Sequence, residues 1–192
     1  MAERITRRTL LGFRKDKDGN EIKIHVKQDK LIDRVGKDRK SLIKDLLNEG
    51  YWLNDKMKKN AITFNAVVGN PPYQVGDGSG ASDDAANPIY QEFVKLSQDL
   101  KPQYVSIIMP SKWMIGGKVV LKPFRKEMMN DKHIAKFYDF EDDQVIFPNA
   151  HNDGGICFFL WDSSHNGLTR HSFYPRSGNV IVSKRSLNEG GF

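Results

Sequence analysis

The sequence predicts an α/β domain, a mostly parallel sheet with helices packed on it, that carries a small basic appendage at its N-terminal end. Three observations lead there. From residue 61 onward, short unbroken apolar runs alternate with segments of helical periodicity, the order that builds a parallel sheet with right-handed crossovers. The 192 residues are 39% hydrophobic with 16 glycines, enough for one real core and an appendage. Charge is uneven: residues 1–60 hold 17 Lys and Arg against 10 Asp and Glu, whereas residues 61–192 hold 13 against 14.

The elements follow in order. In the appendage, residues 1–60, Thr9 to Phe13 and the alternating Ile22, Ile24 and Val26 flank a polar turn from Lys15 to Asn20, a hairpin pattern. Ser41 can cap a short helix with Leu42, Ile43, Leu46 and Leu47 on one face and Gly50 at its end, and Tyr51-Trp52-Leu53 docks this piece on the main body. The main body, residues 61–165, opens with a buried strand, Phe64 to Gly69. Gly76 to Ala86 is small, polar and glycine-rich, a loop. Asn87 can then cap, and Pro88 can occupy the first turn of, a helix through Ile89, Phe93, Val94 and Leu96 to about Leu100. Tyr104 to Met109 is a second strand, stopped by Pro110; a helix covers about Lys118 to Asn130, with Pro123 as a flaw in it. His133 to Tyr138 and Gly155 to Trp161 complete the strands, and residues 166–192 form a C-terminal extension.

Several classes are excluded. No apolar run approaches the roughly 18–20 residues of a membrane span, and Met1-Ala2-Glu3-Arg4 leads into basic residues without an apolar stretch, so a cytoplasmic chain is expected. The single cysteine, Cys157, can form neither an internal disulfide nor a cysteine-based metal site. The net charge of +6, concentrated at the front, suits a polyanion as well as it suits a solvated lysine-rich surface.

The chemistry-bearing feature is Asn70-Pro71-Pro72-Tyr73, directly after the first buried strand. At average residue usage this tetrapeptide would arise by chance in well under ~1% of chains this long, so its placement at a strand's carboxyl end, where α/β sheets bind ligands, is informative. Two prolines fix φ and remove N–H donors, giving a stiff turn that offers acceptors. The Asn70 amide oxygen and the Pro71 carbonyl can accept both hydrogens of a planar NH₂ group. Accepting both localises the nitrogen lone pair and draws the nitrogen toward a tetrahedral, nucleophilic form. Tyr73 adds an aromatic face on which a flat base can stack for roughly 1–3 kcal/mol. The alternative is a proline-stiffened turn with Tyr73 packed as a lid on the core.

From about Phe64 to Trp161 the chain resembles the adenine-specific DNA methyltransferases of restriction–modification systems, TaqI-like in type. The resemblance implies part of a Rossmann-like, S-adenosylmethionine-dependent fold that grips the amine of a flipped-out adenine. Asn70, Pro71, Pro72 and Tyr73 would be its catalytic turn. Met109-Pro110-Ser111-Lys112-Trp113 looks like the family's strand end followed by Pro, a small residue and Trp. Val145-Ile146-Phe147-Pro148 resembles the segment whose Phe packs on the target base, making Phe147 a substrate-binding candidate whose alternative is core packing.

The chain also departs from the family. The resemblance implies a strand leading into a glycine turn for S-adenosylmethionine before the Asn-Pro-Pro-Tyr strand, and an acidic residue for the ribose. The residues before Phe64 hold no such turn; Gly12 stands alone and Gly19 belongs to a hairpin. Gly76-Asp77-Gly78-Ser79-Gly80 follows the wrong strand. No cofactor-binding residue is therefore assigned, and the chain alone is expected to be inactive. The half sheet should need its open edge covered by the Thr9–Val26 hairpin or by a second chain, and the expected protein partner is the missing cofactor-binding segment or a second chain.

Other constellations are weaker. Asp139, Glu141, Asp142 and Asp143 read as a solvated acidic loop, and His151, Asp153, His165 and His171 lack zinc spacing, so no metal site is assigned. The expected function is site-specific adenine-N6 methylation of double-stranded DNA by a longer protein of which this is the catalytic half. Methylation of an RNA adenine or a protein glutamine, and a catalytically silent DNA- or partner-binding remnant, are the alternatives.

Overall fold

The computed structural model describes residues 13–15, 21–23, 29–53, 56–57, 59–75, 87–116, 118–149 and 154–189. Strands β1 (Phe13–Lys15) and β2 (Glu21–Lys23) pair antiparallel, Phe13 opposite Lys23. This hairpin lies closer to its polar turn than the alternation suggests; Thr9 to Leu11, Ile24 and Val26 fall outside the described residues. Helices α1 (Asp29–Val35), α2 (Arg39–Leu46) and α3 (Glu49–Leu53) follow. Helix α2 starts two residues before Ser41, whose hydroxyl instead accepts from Arg34 Nη2 at 3.3 Å. Leu31, Val35, Leu42 and Leu46 form one buried stripe against Val67, Leu96 and Leu100. Each buried aliphatic side chain of this kind contributes roughly 1.5–3 kcal/mol. Trp52 locks the junction: its indole N–H donates to the Leu46 carbonyl at 2.7 Å, and its ring meets Phe64 edge-on at 6.0 Å.

The main body contains β3 (Ala66–Gly69), β4 (Gln74–Val75), β5 (Asn87–Pro88), α4 (Tyr90–Asp99), β6 (Tyr104–Pro110), α5 (Leu121–Asn130), β7 (Ile134–Phe140), β8 (Ile156–Asp162), β9 (Thr169–Tyr174) and β10 (Ile181–Arg185). Six strands make one sheet in the order β10-β9-β7-β8-β6-β3. Strands β3, β6, β7 and β9 run the same way, while β8 and β10 run against them. The sheet is thus mixed with most strands parallel. Strand β8 is inserted antiparallel between β6 and β7. Between β7 and β8 the described residues form a 3₁₀ turn, Asp143–Val145, and no helix of the kind that usually carries a parallel crossover. Residues 169–185, inside the C-terminal extension, add two strands to this same sheet.

Two local expectations change. Asn87 and Pro88 do not open the helix; they pair with Val75 and Gln74, and α4 starts after Ile89, whose N–H donates to the Tyr73 carbonyl at 3.1 Å. Pro123 sits in the first turn of α5, where its missing N–H would have had no intrahelical partner, so it is no flaw there.

One face of the sheet is the core. Val105, Ile107, Met109, Phe137, Cys157 and Phe159 pack with Tyr90 and Val94 of α4 and Leu121, Phe124 and Met128 of α5. The other face carries no described helix, and Val68 on it is 67% exposed. Among the described residues no strand pairs with the outer edge of β3, and β1 and β2 pair with one another.

Candidate active site

The carboxyl ends of β3, β6 and β7 lie at one end of the sheet, and three short connections leave from them. The first is Asn70-Pro71-Pro72-Tyr73, which follows Gly69 at the end of β3. Pro71 is buried, and Asn70, Pro72 and Tyr73 are half-buried. Pairing of β4 with β5 anchors the far side of this turn beside the start of α4. The Asn70 amide oxygen is buried and accepts no hydrogen bond among the described residues. An acceptor left in that state costs roughly 1–3 kcal/mol, so its retention beside a rigid double proline fits a site kept ready for an external N–H donor.

Tyr73 has a mixed position. Its ring packs against the core cluster and its hydroxyl is buried without a partner, while burial, with Cys157 and Asp143 nearby, drives the phenol pKa well upward. The phenol is therefore a neutral aromatic group with a core-facing tip. The residue as a whole is only partly buried.

The second connection is Ser111–Trp113, a 3₁₀ turn after Pro110. Trp113 is fully buried, edge-on to Phe124 at 5.4 Å and to Phe137 at 6.1 Å, with its indole N–H toward Cys157 Sγ at 3.5 Å. Trp113 thus belongs to the core beneath the site. Arg125 of α5 fastens this turn by donating to the carbonyls of Trp113 and Gly116. Burial pushes the Cys157 thiol up to about 12, which makes it an inert neutral group.

The third connection carries Phe147. Asp142 accepts from the Gln144 N–H at 3.0 Å, starting the 3₁₀ turn, and the Phe147 N–H donates to the Asp143 carbonyl at 2.8 Å. Phe147 is half-buried, and Val145 beside it is 67% exposed. Asp143 of this turn also contributes, after burial and Cys157, to raising the Tyr73 phenol pKa.

The acidic run is a solvated loop only in part: Glu141 is exposed, whereas Asp139 and Asp143 are held in the fold. Asp143 is buried. Asp139, near the end of β7, accepts a 2.6 Å hydrogen bond from Ser111 Oγ, which ties the second connection to the third strand end. Burial raises the Asp139 pKa, with the Ser111 bond opposing. The missed signals were an Asp two residues before Gln at a turn start, and an Asp inside a strand rather than beyond it. His151 and Asp153 lie outside the described residues.

S-adenosylmethionine does not fit what is described. A dinucleotide-type cradle needs a strand, a glycine turn and a helix N-terminus in succession. The described glycines with left-handed φ, Gly154, Gly155 and Gly178, fall between strands, and the loop from Gly76 to Ala86 lies outside the described residues. No helix among them is long and apolar enough to cross a membrane.

A mostly parallel α/β sheet with Asn-Pro-Pro-Tyr at a strand's carboxyl end defines the class: part of a Rossmann-like methyltransferase fold. A family model narrows it. Residues 1–147 match the Eco57I restriction-modification methylase model, and the chain belongs to that family. An uncharacterized adenine-specific methylase of Mycoplasma pneumoniae is 35% identical over 136 residues, covering 69% of this chain and 32% of its own length. The chain thus spans about a third of that relative. Among solved structures, the type IIG restriction endonuclease BpuSI aligns with a TM-score of 0.45 at 16% identity, over 65% of this chain and 19% of that one. A type I restriction-modification methyltransferase subunit from Streptococcus thermophilus aligns with a TM-score of 0.38 at 14% identity, over 66% and 31%. Methylases of this family use S-adenosylmethionine as methyl donor in general.

Proposed function

We propose that this chain is the catalytic half of a site-specific adenine-N6 DNA methyltransferase, working in the cytoplasm on double-stranded DNA. The observation that carries the reading is the buried, unpartnered Asn70 amide oxygen on the double-proline turn at the end of β3. In this reading Asn70 Oδ1 and the Pro71 carbonyl accept the two amine hydrogens of a flipped adenine. The nitrogen lone pair is thereby released from the ring and becomes nucleophilic, and the amine proton leaves after transfer. Pro72 stiffens the turn, Tyr73 stacks on the base, and Phe147 closes on it from the β7 side. Cofactor binding would be supplied by a segment or a second chain outside the described residues, and the basic appendage would face phosphates. Two of its six arginines are already engaged internally, Arg34 with Asp38 and Asp45, and Arg39 with Glu92 and Asp99.

The test is to express the gene in its native context in a host lacking adenine methylation and map N6-methyladenine. A mark at one short sequence, lost with Asn70→Ala, is expected. Methylation that persists in Asn70→Ala, or appears on RNA or protein glutamine instead, would overturn the reading. A second reading is a binding module that kept the turn and lost catalysis; a DNA-binding product that leaves no mark would establish it.

A further inference from the structure

We propose that the sheet face turned away from the helices is a contact surface for the phosphate backbone of duplex DNA, centred on Lys136, Arg170 and Lys184. Strand register puts Lys136 of β7 directly opposite Arg170 of β9, and Arg170 directly opposite Lys184 of β10. Residues paired this way share a face, and neighbouring strands lie about 4.8 Å apart, so three cations stand in a row roughly 10 Å long. All three are exposed. Like charges placed directly opposite on a sheet destabilise it, so the row calls for a counter-anion.

The fold does not supply one. Four other cations of this chain find acids within it: Arg34 with Asp38 and Asp45, Arg39 with Glu92 and Asp99, Lys95 with Glu127, and Arg185 with Glu189. Among the described residues no acid pairs with any member of the row. Asp162, the acid of β8 on this face, is occupied by Ser164, accepting from its N–H at 2.9 Å and its hydroxyl at 2.7 Å. The neighbours of the row are Leu160, opposite Lys136 on β8, and Tyr138, two residues further along β7 and stacked on Phe158 at 4.7 Å. Such a face, cationic and flanked by apolar and aromatic groups, matches a polyanion with closely spaced charges, and duplex DNA carries one charge per about 1.7 Å of axis.

Choosing DNA over an acidic protein rests on the proposed DNA substrate. The row lies four residues before Phe140, so about 13 Å along the strand from the candidate active site. It would hold flanking backbone and add sequence-independent affinity without touching the target base.

The experiment measures binding of the 192-residue chain to a duplex of G·C pairs only, by fluorescence anisotropy over a salt series. That duplex offers no adenine, so the outcome is independent of methyl transfer, and failure of either proposal leaves the other testable. The variant Lys136→Gln/Arg170→Gln/Lys184→Gln is compared with Lys101→Gln/Lys122→Gln/Lys126→Gln, which removes equal charge from exposed positions elsewhere. Expected is a salt slope lowered by up to about 2.7 and affinity lowered at least about tenfold in the row variant alone, with its melting temperature unchanged or raised. An equal loss in both variants, no loss in the row variant, no binding by the wild-type chain at low salt, or tighter binding to a polyglutamate peptide than to the duplex would overturn it.

Discussion

Gly155→Ala tests whether the three connections at the carboxyl end of the sheet form one rigid unit. Gly155 has φ +78°, and a Cβ built on it would lie 2.2 Å from the Phe140 carbonyl oxygen. That is backbone, at the last rung of the β7–β8 pairing where Phe140 faces Ile156, so the clash cannot be relieved by a side-chain rotation. The Gly155 carbonyl also accepts the Ser111 N–H at 3.1 Å, and Ser111 in turn holds Asp139. Left-handed strain costs about 1–2 kcal/mol, and a displaced backbone hydrogen bond adds about 0.5–1.5. Together with the clash, a loss of roughly 2–4 kcal/mol follows, which for a chain of this size lowers the melting temperature by roughly 5–15 °C. Gly178→Ala is the reference: φ is +98°, but nothing lies within 4 Å of its added Cβ, so strain acts alone. Circular-dichroism melting of both variants separates the clash from the strain. Equal melting temperatures within about 1 °C would refute the claim that the β7–β8 junction is rigid.

Four further outcomes follow from the same geometry. Asn70→Ala removes a buried acceptor that satisfies nothing inside the fold, so thermal melting should rise slightly, while methylation in the native context is abolished; a drop of several degrees would mean that Asn70 is structural. Tyr73→Phe should stabilise for the same reason and retain methylation, whereas Tyr73→Ala should lose it together with roughly 1–3 kcal/mol of base stacking, read by adenine methylation assays on both variants. His171, beside Asp139 and Arg185, has its pKa lowered chiefly by burial, so it resists protonation when folded. Stability it contributes is present above the ordinary histidine value and falls as pH drops below it; urea midpoints from pH 8 to 5 should decline, and His171→Gln should flatten that decline. Finally, calorimetric titration of the isolated chain with S-adenosylmethionine should show no micromolar complex, and a one-to-one complex would place a cradle in residues 76–86 or near the front of the chain.

How far the sequence could be read depended on whether the deciding contact was local. Strand β6 and helices α4 and α5 announced themselves because their apolar spacing already matched the period of the element, and the Asn-Pro-Pro-Tyr turn was visible because its four residues are contiguous. The strand order was not legible. The apolar run of β8 looks the same whether it pairs parallel or antiparallel, and only its tertiary register against β6 and β7 shows which. The pairing of Asn87 and Pro88 with β4 was hidden because both are also good helix-opening residues, and a tertiary partner overrode that preference. Asp143 and Asp139 were misread because burial of an acid depends on what folds over it.

That last misreading changes the picture of the site. Read as a string, Asp139 to Asp143 looks like a charged loop that merely delivers Phe147. In the fold, Asp139 binds the turn after β6, the Asp142 cap and Asp143 carbonyl shape the turn holding Phe147, and Asp143 adds to the rise of the Tyr73 phenol pKa. The candidate base-gripping residues are thus joined through acids that the sequence motif does not contain. A turn of four residues can offer two acceptors, but holding them against a flat ring requires the neighbouring strand ends to keep their spacing. Positional tolerance at such sites is a few tenths of an ångström. The Ser111–Asp139 bond and the Gly155 close approach are the contacts that set that spacing here, so variation at these positions should disturb the turn without touching its four residues.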